Sequence, residues 1–303
     1  MIISKNIRNK IEILTGENDY LKFEIAPELG GKVISVYNKK LDKEFLWRNK
    51  KSPLAVNQPG TEYDPNFWGG IDELIPNDIP ETIDSIAYPD HGELWTTPLK
   101  YEILDNKISV FGKLKLSELY YEKTMFLDAN SPLIFLEYKI KNLSNVEKHF
   151  LWKLHAALAI EEGDTMISDA QKARIVYPET SRFKNEENFN WPMIGNFDVS
   201  KVQPCNNTMD FFYLYEIQEA EMKMSSSKAN HLFSYSYDKV VFPYQWYFAS
   251  YGAFLDHYTA ILEPASSMPV SVNEAKKLNQ CTRLQPNEEI KTSVQIFAGA
   301  KNN

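Results

Sequence analysis

Hydrophobic and polar residues alternate with a period of two along most of the chain. Leu21, Phe23 and Ile25 are separated by Lys22 and Glu24, the pattern of a strand with one buried face. Val33-Ile-Ser-Val-Tyr37 and Glu44-Phe-Leu-Trp47 flank the polar run Asn38-Lys-Lys-Leu-Asp-Lys43, which predicts a hairpin connection. Residues 107–160 read as strand almost throughout, broken by the turn compositions Asp128-Ala-Asn-Ser-Pro132 and Asn142-Leu-Ser-Asn145. Another strand is predicted over 208–217, two or three more over 234–264, and a last one over 292–298 after a turn at Gln285-Pro-Asn-Glu288. Helical signal is confined to short segments at 168–175 and 272–278. Residues 178–204 have little periodicity and contain Pro192, Pro204 and several Asn. They read as a surface excursion whose Phe183, Phe189, Trp191 and Phe197 need something to pack on. No composition shift or internal repeat divides the chain. The expectation is an all-β protein, residues 1–303 forming a single domain of two packed antiparallel sheets.

Composition narrows the function. With 43% hydrophobic and 24% charged residues, the chain is not a disordered one. A net charge of −8 without any cluster of Lys and Arg argues against nucleic acid, whose phosphates are held by such clusters. Two cysteines, Cys205 and Cys281, with no CxxC spacing exclude a disulfide scaffold and the usual zinc and redox motifs. The first ten residues lack an apolar signal region, and no apolar run approaches the ~18 residues of a membrane span. A cytoplasmic protein with a neutral or small ligand and no membrane partner is the expectation, with the oligomeric state left open. GxSxG, GxGxxG, Walker A and HExxH are all absent, against the hydrolase, dinucleotide, nucleotide and zincin chemistries those motifs serve.

Four segments carry candidate chemistry. Pro89-Asp-His-Gly-Glu-Leu-Trp95 gathers Asp90, His91 and Glu93, which can reach hydroxyls, beside Trp95, which can stack on the apolar face of a ring; a solvated acidic loop with a packed Trp fits equally well. In His149-Phe-Leu-Trp-Lys-Leu-His155, strand periodicity puts Lys153 and His155 on one face and Phe150, Trp152 and Leu154 on the other. His155 is then either a proton donor, given an ordinary pKa of ~6.5, or a structural histidine. Glu263 follows Thr259 and Ile261 on one strand face; it is either a desolvated base with a raised pKa or a solvent-facing acid at a strand end. Phe67-Trp-Gly-Gly-Ile-Asp-Glu-Leu-Ile-Pro76 allows a tight bend at Gly69-Gly70 that can present Trp68, Asp72 and Glu73 at a cleft. The acids and His91 can also take a cation, but no ligand spacing specifies one and no metal is expected.

Together with Pro27-Glu-Leu-Gly-Gly-Lys-Val-Ile-Ser35, Leu262-Glu-Pro264, and Glu274-Ala275 followed by Leu284-Gln-Pro-Asn-Glu288, these segments resemble, in order and spacing across nearly the whole chain, the aldose 1-epimerase (galactose mutarotase-like) superfamily. The resemblance implies a large antiparallel β-supersandwich and cofactor-free interconversion of the α and β anomers of a hexose by ring opening. It implies Glu263 as the base at the anomeric hydroxyl and His155 as the acid at the ring oxygen. His91 is implied as the additional histidine that binds the sugar or assists at the ring oxygen. Trp246 stands where relatives often carry a sugar-contacting aromatic, and a core residue is an equally good reading of it. Asp90, Glu93, Trp95 and Asp72 complete the candidate binding set. The sequence departs from the family pattern at Pro286-Asn-Glu288, where relatives have Pro-Gly-Glu. It also lacks a convincing counterpart of the family's sugar-site arginine; Arg48 is the nearest candidate, and Lys153 is the alternative source of charge. The competing expectations are a non-catalytic carbohydrate-binding protein on the same scaffold and, ranked lower because acids outnumber bases in these motifs, a hexose-6-phosphate epimerase.

Overall fold

In the computed structural model, residues 1–184 and 186–301 are described. The alternating segments pair antiparallel into two large sheets. The first has twelve strands. From one edge it runs Ile2–Arg8, Ile11–Glu17, Leu21–Ala26, Lys32–Asn38, Ile71–Leu74, Lys153–Leu158, Tyr258–Ala265, Tyr244–Tyr251, Thr208–Tyr215, Lys172–Ile175 and Asn188–Asn190, with Lys43–Glu44 paired alongside Lys32–Asn38. The second has eight: Thr165–Ile167, Glu221–Ser225, Leu232–Ser236, Glu289–Gly299, Leu133–Asn142, Leu119–Leu127, Lys107–Lys113 and Lys100–Leu104. The all-β class expected from periodicity is the class observed.

The principal core lies between the two sheets. Phe23, Val36, Leu154, Leu262, Tyr247 and Phe212 from the first sheet meet Tyr121, Met125, Leu136, Tyr138, Tyr235 and Ile296 from the second. Because successive side chains point to opposite faces, the same strands of the first sheet carry a second, outward series: Lys153 and His155, then Ile261 and Glu263, then Trp246 and Phe248. This outer face supports the candidate site.

One ion pair sits inside the principal core. Lys123 and Glu73 have side chains 0% and 1% exposed, with Nζ and Oε2 2.7 Å apart. Lys123 also donates to Gly31 O, and Tyr138 donates to Glu73 Oε1 at 2.7 Å. A charge in such a place is tolerated only when it is paired and hydrogen-bonded. Here the pair joins strand Ile71–Leu74 of one sheet to strand Leu119–Leu127 of the other.

Two local expectations change, those for 168–175 and Glu73, while the excursion after residue 178 packs its aromatics as expected and also adds a strand. The segment around 168–175 is not helical: Lys172–Ile175 is a strand pairing with Thr208–Tyr215, and the only α-helix among the described residues is Val272–Lys277. The excursion after residue 178 returns to the first sheet and adds Asn188–Asn190 at its edge, where Phe189 is buried and Phe183 and Trp191 pack on the core. Glu73, read as a cleft residue, faces the core instead, because it pairs opposite Leu154.

Lys123→Met leaves the Glu73 carboxylate buried without its cation, and it should lower unfolding stability by about 3–5 kcal/mol. Urea denaturation monitored by tryptophan fluorescence measures this; a loss below about 1 kcal/mol would show that the pair does not hold the sheets together.

Candidate active site

Sheet register brings the candidate acid and base side by side. His155 pairs with Asp72. The pairs Ala156–Leu262 and Lys153–Ala265 place His155 opposite Glu263 on its other side. Glu263 in turn pairs with Trp246, and Trp246 with Tyr213. A single row across the outer face therefore reads Asp72, His155, Glu263, Trp246, Tyr213. Directly opposed residues in an antiparallel pair have Cβ atoms roughly 5 Å apart, so positions 108 apart in sequence become neighbours through pairing alone.

Above this row lies a cleft enclosing about 870 Å³, its open mouth included, within the size range of small-molecule sites. Its polar end is a chain of alternating charges. Lys153 Nζ lies 2.6 Å from Glu263 Oε2 and 2.6 Å from Asp78 Oδ1. His91 Nε2 is 3.7 Å from the same Asp78 oxygen, and His91 Nδ1 is 2.8 Å from Asp90 Oδ1. Asp90 Oδ2 accepts from the backbone N–H of Tyr63 at 2.9 Å. Trp246 lies under the ammonium, its ring centroid 4.4 Å from Lys153 Nζ, a cation–π contact. Asp64, Asp90 and His91 bring one ligand atom each within 4.8 Å of one another. They are the residues best placed for a cation, although Asp90 and His91 already satisfy each other.

These contacts set the protonation states. Burial pushes the Glu263 carboxyl up to about 7, although Lys153 pulls in the opposite direction. Burial works against the Lys153 ammonium, but Asp78 and Glu263 outweigh it and hold the group charged well above its usual range. Burial also disfavours the charged form of His91; the Asp78 charge and the Asp90 hydrogen bond override it and raise its pKa above 6.5. His155 behaves oppositely: burial, then the charges of Lys153, His91 and Lys32, drive it well below 6.5. At neutral pH, His155 is a neutral imidazole, whereas His91 keeps a substantial protonated fraction.

Behind His155 lies a supporting layer. Tyr63 OH donates to Asp72 Oδ2 at 2.7 Å and lies 3.4 Å from His155 Nδ1. With its proton committed to Asp72, the phenol is an acceptor toward His155. Lys32 Nζ pairs with Asp72 Oδ2 at 2.9 Å. The Tyr63 ring also stacks on His91 at 4.2 Å and meets Trp95 edge-on at 5.0 Å.

The family described as "Domain of unknown function (DUF5107)" matches residues 2–55. Among curated proteins, no sequence matches. Solved structures match over almost the whole chain. A galactose mutarotase-like protein from Clostridium acetobutylicum is 15% identical, with a TM-score of 0.72 over 99% of this chain and 99% of that one. A galactose mutarotase-like protein from Lactobacillus casei ATCC 334 is 15% identical, with a TM-score of 0.70 over 95% and 100% of the two chains. The Slr1438 protein from Synechocystis sp. PCC 6803 is 14% identical, with a TM-score of 0.73 over 98% and 99%. The chain has the galactose mutarotase-like fold. At these identities the likeness concerns architecture, and the chemistry rests on the residues of this chain.

On that fold, Glu263, His155, His91, Asp90 and Lys153 all line the cleft. Other candidates from the sequence do not. Glu93 points away, its two oxygens accepting from the backbone N–H groups of Leu116 and Ser117 at 2.7 and 2.8 Å, so it anchors a loop. Trp95 backs Tyr63 and lines a separate hollow with Lys32 and Trp68. Trp246 is fully buried, with Nε1 donating to Ser267 O at 3.0 Å; it is the platform under Lys153, not a ring-stacking wall. Asp72 sits one layer back, behind Tyr63. Arg48 pairs with Glu44, outside the cleft. Asp78, Tyr63 and His257 escaped sequence reading. Asp78 lies in Pro76-Asn-Asp-Ile-Pro80, a segment with no periodicity, and Tyr63 precedes the short turn Asp64–Asn66; neither carries a signal that distinguishes it from a surface loop.

Lys153→Met removes the cation that holds Glu263 down, so the Glu263 pKa should rise from about 7 to well above it. Carboxyl-carbon NMR titration of glutamate-labelled protein would show the shift; an unchanged or lower value would mean that Lys153 does not control the carboxyl.

Proposed function

We propose that the protein is an aldose 1-epimerase acting on a free sugar, with Glu263 as base and His91 as the proton donor. The observation that carries this reading is one cleft lined by both the buried Glu263 carboxyl, paired with Lys153, and His91, paired with Asp90 and Asp78; burial lifts the carboxyl to about 7, and the two aspartates raise the histidine above its usual value. A general base and a general acid work best when their pKa values lie close to the operating pH.

The steps follow from those states. The Glu263 carboxylate takes the proton of the anomeric hydroxyl. His91 gives its Nε2 proton to the ring oxygen as the C1–O5 bond breaks and the C1=O1 bond forms. Rotation about C1–C2 exchanges the aldehyde faces. On reclosure the ring hydroxyl returns its proton to His91, and Glu263 returns its proton to O1, so atoms and charge balance without a co-reactant. Lys153 holds one oxygen of Glu263 and fixes its direction, while Asp90 and Asp78 favour the imidazolium of His91. The resemblance implied His155 as the acid and His91 as a histidine that binds the sugar or assists at the ring oxygen; here His91 takes the donor's role. A neutral imidazole whose Nδ1 faces the phenol oxygen of Tyr63 is suited to accept a hydrogen bond from a sugar hydroxyl at Nε2, and a proton donor is needed elsewhere.

A second reading, non-catalytic carbohydrate binding, is supported by the same ion pair: a carboxylate permanently tied to Lys153 could hold a sugar without deprotonating it. Anomer exchange separates the two. Freshly dissolved α-hexose followed by NMR should reach anomeric equilibrium faster with the protein than in buffer. Glu263→Gln should lower kcat/KM by roughly 10²–10⁴-fold. Sugar binding with no exchange, unaffected by Glu263→Gln, would establish the binding-only reading.

The pH dependence has a fixed sign. Activity needs Glu263 ionised and His91 protonated, so kcat/KM should climb as pH rises through about 7 and fall again at higher pH as His91 loses its proton. His91→Gln should abolish the descending limb and lower the maximum, whereas His155→Gln should keep the descending limb. If His155→Gln removes that limb and His91→Gln does not, the acid is His155.

A further inference from the structure

The cleft has a second half that the proposed proton transfers leave unused. Glu263, Ile261 and Thr259 point into it from one strand, two residues apart. At about 3.4 Å per residue, Ile261 lies roughly 7 Å from Glu263 along the strand, and Thr259 roughly twice that. Phe248 pairs with Ile261, and Phe211 with Phe248, so the next row of the sheet is apolar across three strands. Phe254 and His257 close its end.

These side chains form a continuous wall. Ring centroids lie 5.6 Å apart for Phe211 and Phe248, 5.4 Å for Phe248 and Phe254, 6.0 Å for Phe254 and His257, and 6.2 Å for His257 and Phe67. Phe67 then meets His155 at 5.3 Å, which joins the wall to the polar end. Phe211, Phe248, Phe254 and Met209 are half-buried, not core residues, so a concave apolar surface is left for a ligand.

Polar atoms along this wall are few and carry no charge: the Thr259 hydroxyl within it, and the Tyr177 hydroxyl and His257 at its margins, where His257 Nδ1 is buried without a partner. The Thr259 hydroxyl donates to Leu158 O at 2.9 Å. His257 is held neutral, burial and then Lys51 lowering its pKa. The ammonium lining the cleft, Lys153, is committed to two carboxylates, and Asp64, Asp78, Asp90 and Glu263 also line it. Phosphate or carboxylate on the ligand would meet these acids with no cation to spare. A hydroxyl seated on Phe248, Phe254 and Ile261, away from Tyr177 and His257 at the margins, would lose water without gaining a partner.

We propose that the cleft selects a neutral monosaccharide that is apolar at the end remote from its anomeric carbon. Such sugars carry a methyl or methylene where an ordinary hexose has a hydroxyl, and 6-deoxy- and 4-deoxyhexoses are the simplest members. This rests on the sugar-site reading above and names its substrate class. The anomeric end sits among Glu263, His91 and Lys153, and the deoxygenated end covers Phe248, Phe254 and Ile261.

The test uses matched pairs of sugars: D-galactose with 6-deoxy-D-galactose, and D-glucose with its 6-deoxy and 4-deoxy analogues, with hexose 6-phosphates as the charged comparison. Binding is read by ligand-observed NMR, and anomer exchange by kinetics on the same full-length protein. At least one deoxy sugar should exceed its parent by about tenfold or more, the scale on which a hydrophobic pocket senses one group, and the 6-phosphates should be the poorest. Phe248→Asn should shrink that ratio to within about threefold by giving the hydroxyl a partner. Equal or better handling of every parent hexose, or preference for a 6-phosphate, would overturn the proposal while leaving the epimerase reading intact if anomers exchange. Selective binding of a deoxy sugar with no exchange would keep the proposal and remove the catalytic reading.

Discussion

A single ammonium group, that of Lys153, decides the character of the cleft. It is almost fully buried and divides its charge between Asp78 and Glu263. Burying one cation against two acids leaves neither carboxylate fully neutralised, and that is why burial still lifts Glu263 to about 7. Without the ammonium, two acids would face each other in a poorly hydrated hollow, and at least one would stay protonated at neutral pH. With a second cation, Glu263 would be held ionised and weakly basic. The intermediate case suits a carboxyl that must both take up and release a proton.

The ammonium is held there by the sheet. Lys153 and His155 are two residues apart on one strand, and Glu263 belongs to the next, so pleat and register fix their spacing. The underside of those strands is core: Leu154 and Leu262 face the second sheet, while on the outer face the Trp246 ring lies under the Lys153 ammonium. Consecutive acids show the same division. Asp72 faces outward and orders Tyr63 and His155; Glu73 faces inward and pairs with Lys123 between the sheets. Groups mounted on paired strands with packed undersides hold their geometry better than groups mounted on loops.

What the sequence disclosed and what it hid divide along a physical line. Alternation revealed the strands, and with them the shared face of Lys153 and His155 and that of Ile261 and Glu263, because a period of two survives whatever the strands pair with. Alternation does not say which strands become neighbours, so the opposition of His155 and Glu263 had to come from the resemblance and, independently, from the register. Loop residues were the least legible. Asp90 and Glu93 are both acids within the segment 89–95, yet one supports His91 and the other caps a distant backbone turn through Leu116 and Ser117. Trp246 was left between a sugar contact and a core residue, and the second holds: Lys153 and the packing around Tyr213 cover it completely. Residues 168–175 looked helical because the segment is short and polar; pairing with Thr208–Tyr215 overrode that local preference.

The most direct measurement is a crystal structure with an unmodified or deoxy hexose in the cleft at neutral pH. The account predicts the anomeric oxygen within hydrogen-bond distance, about 2.6–3.2 Å, of the Glu263 carboxyl, with His91 Nε2 at the ring oxygen. A sugar bound with its anomeric carbon against the Phe248–Phe254 wall, or held outside the reach of Glu263, would contradict it.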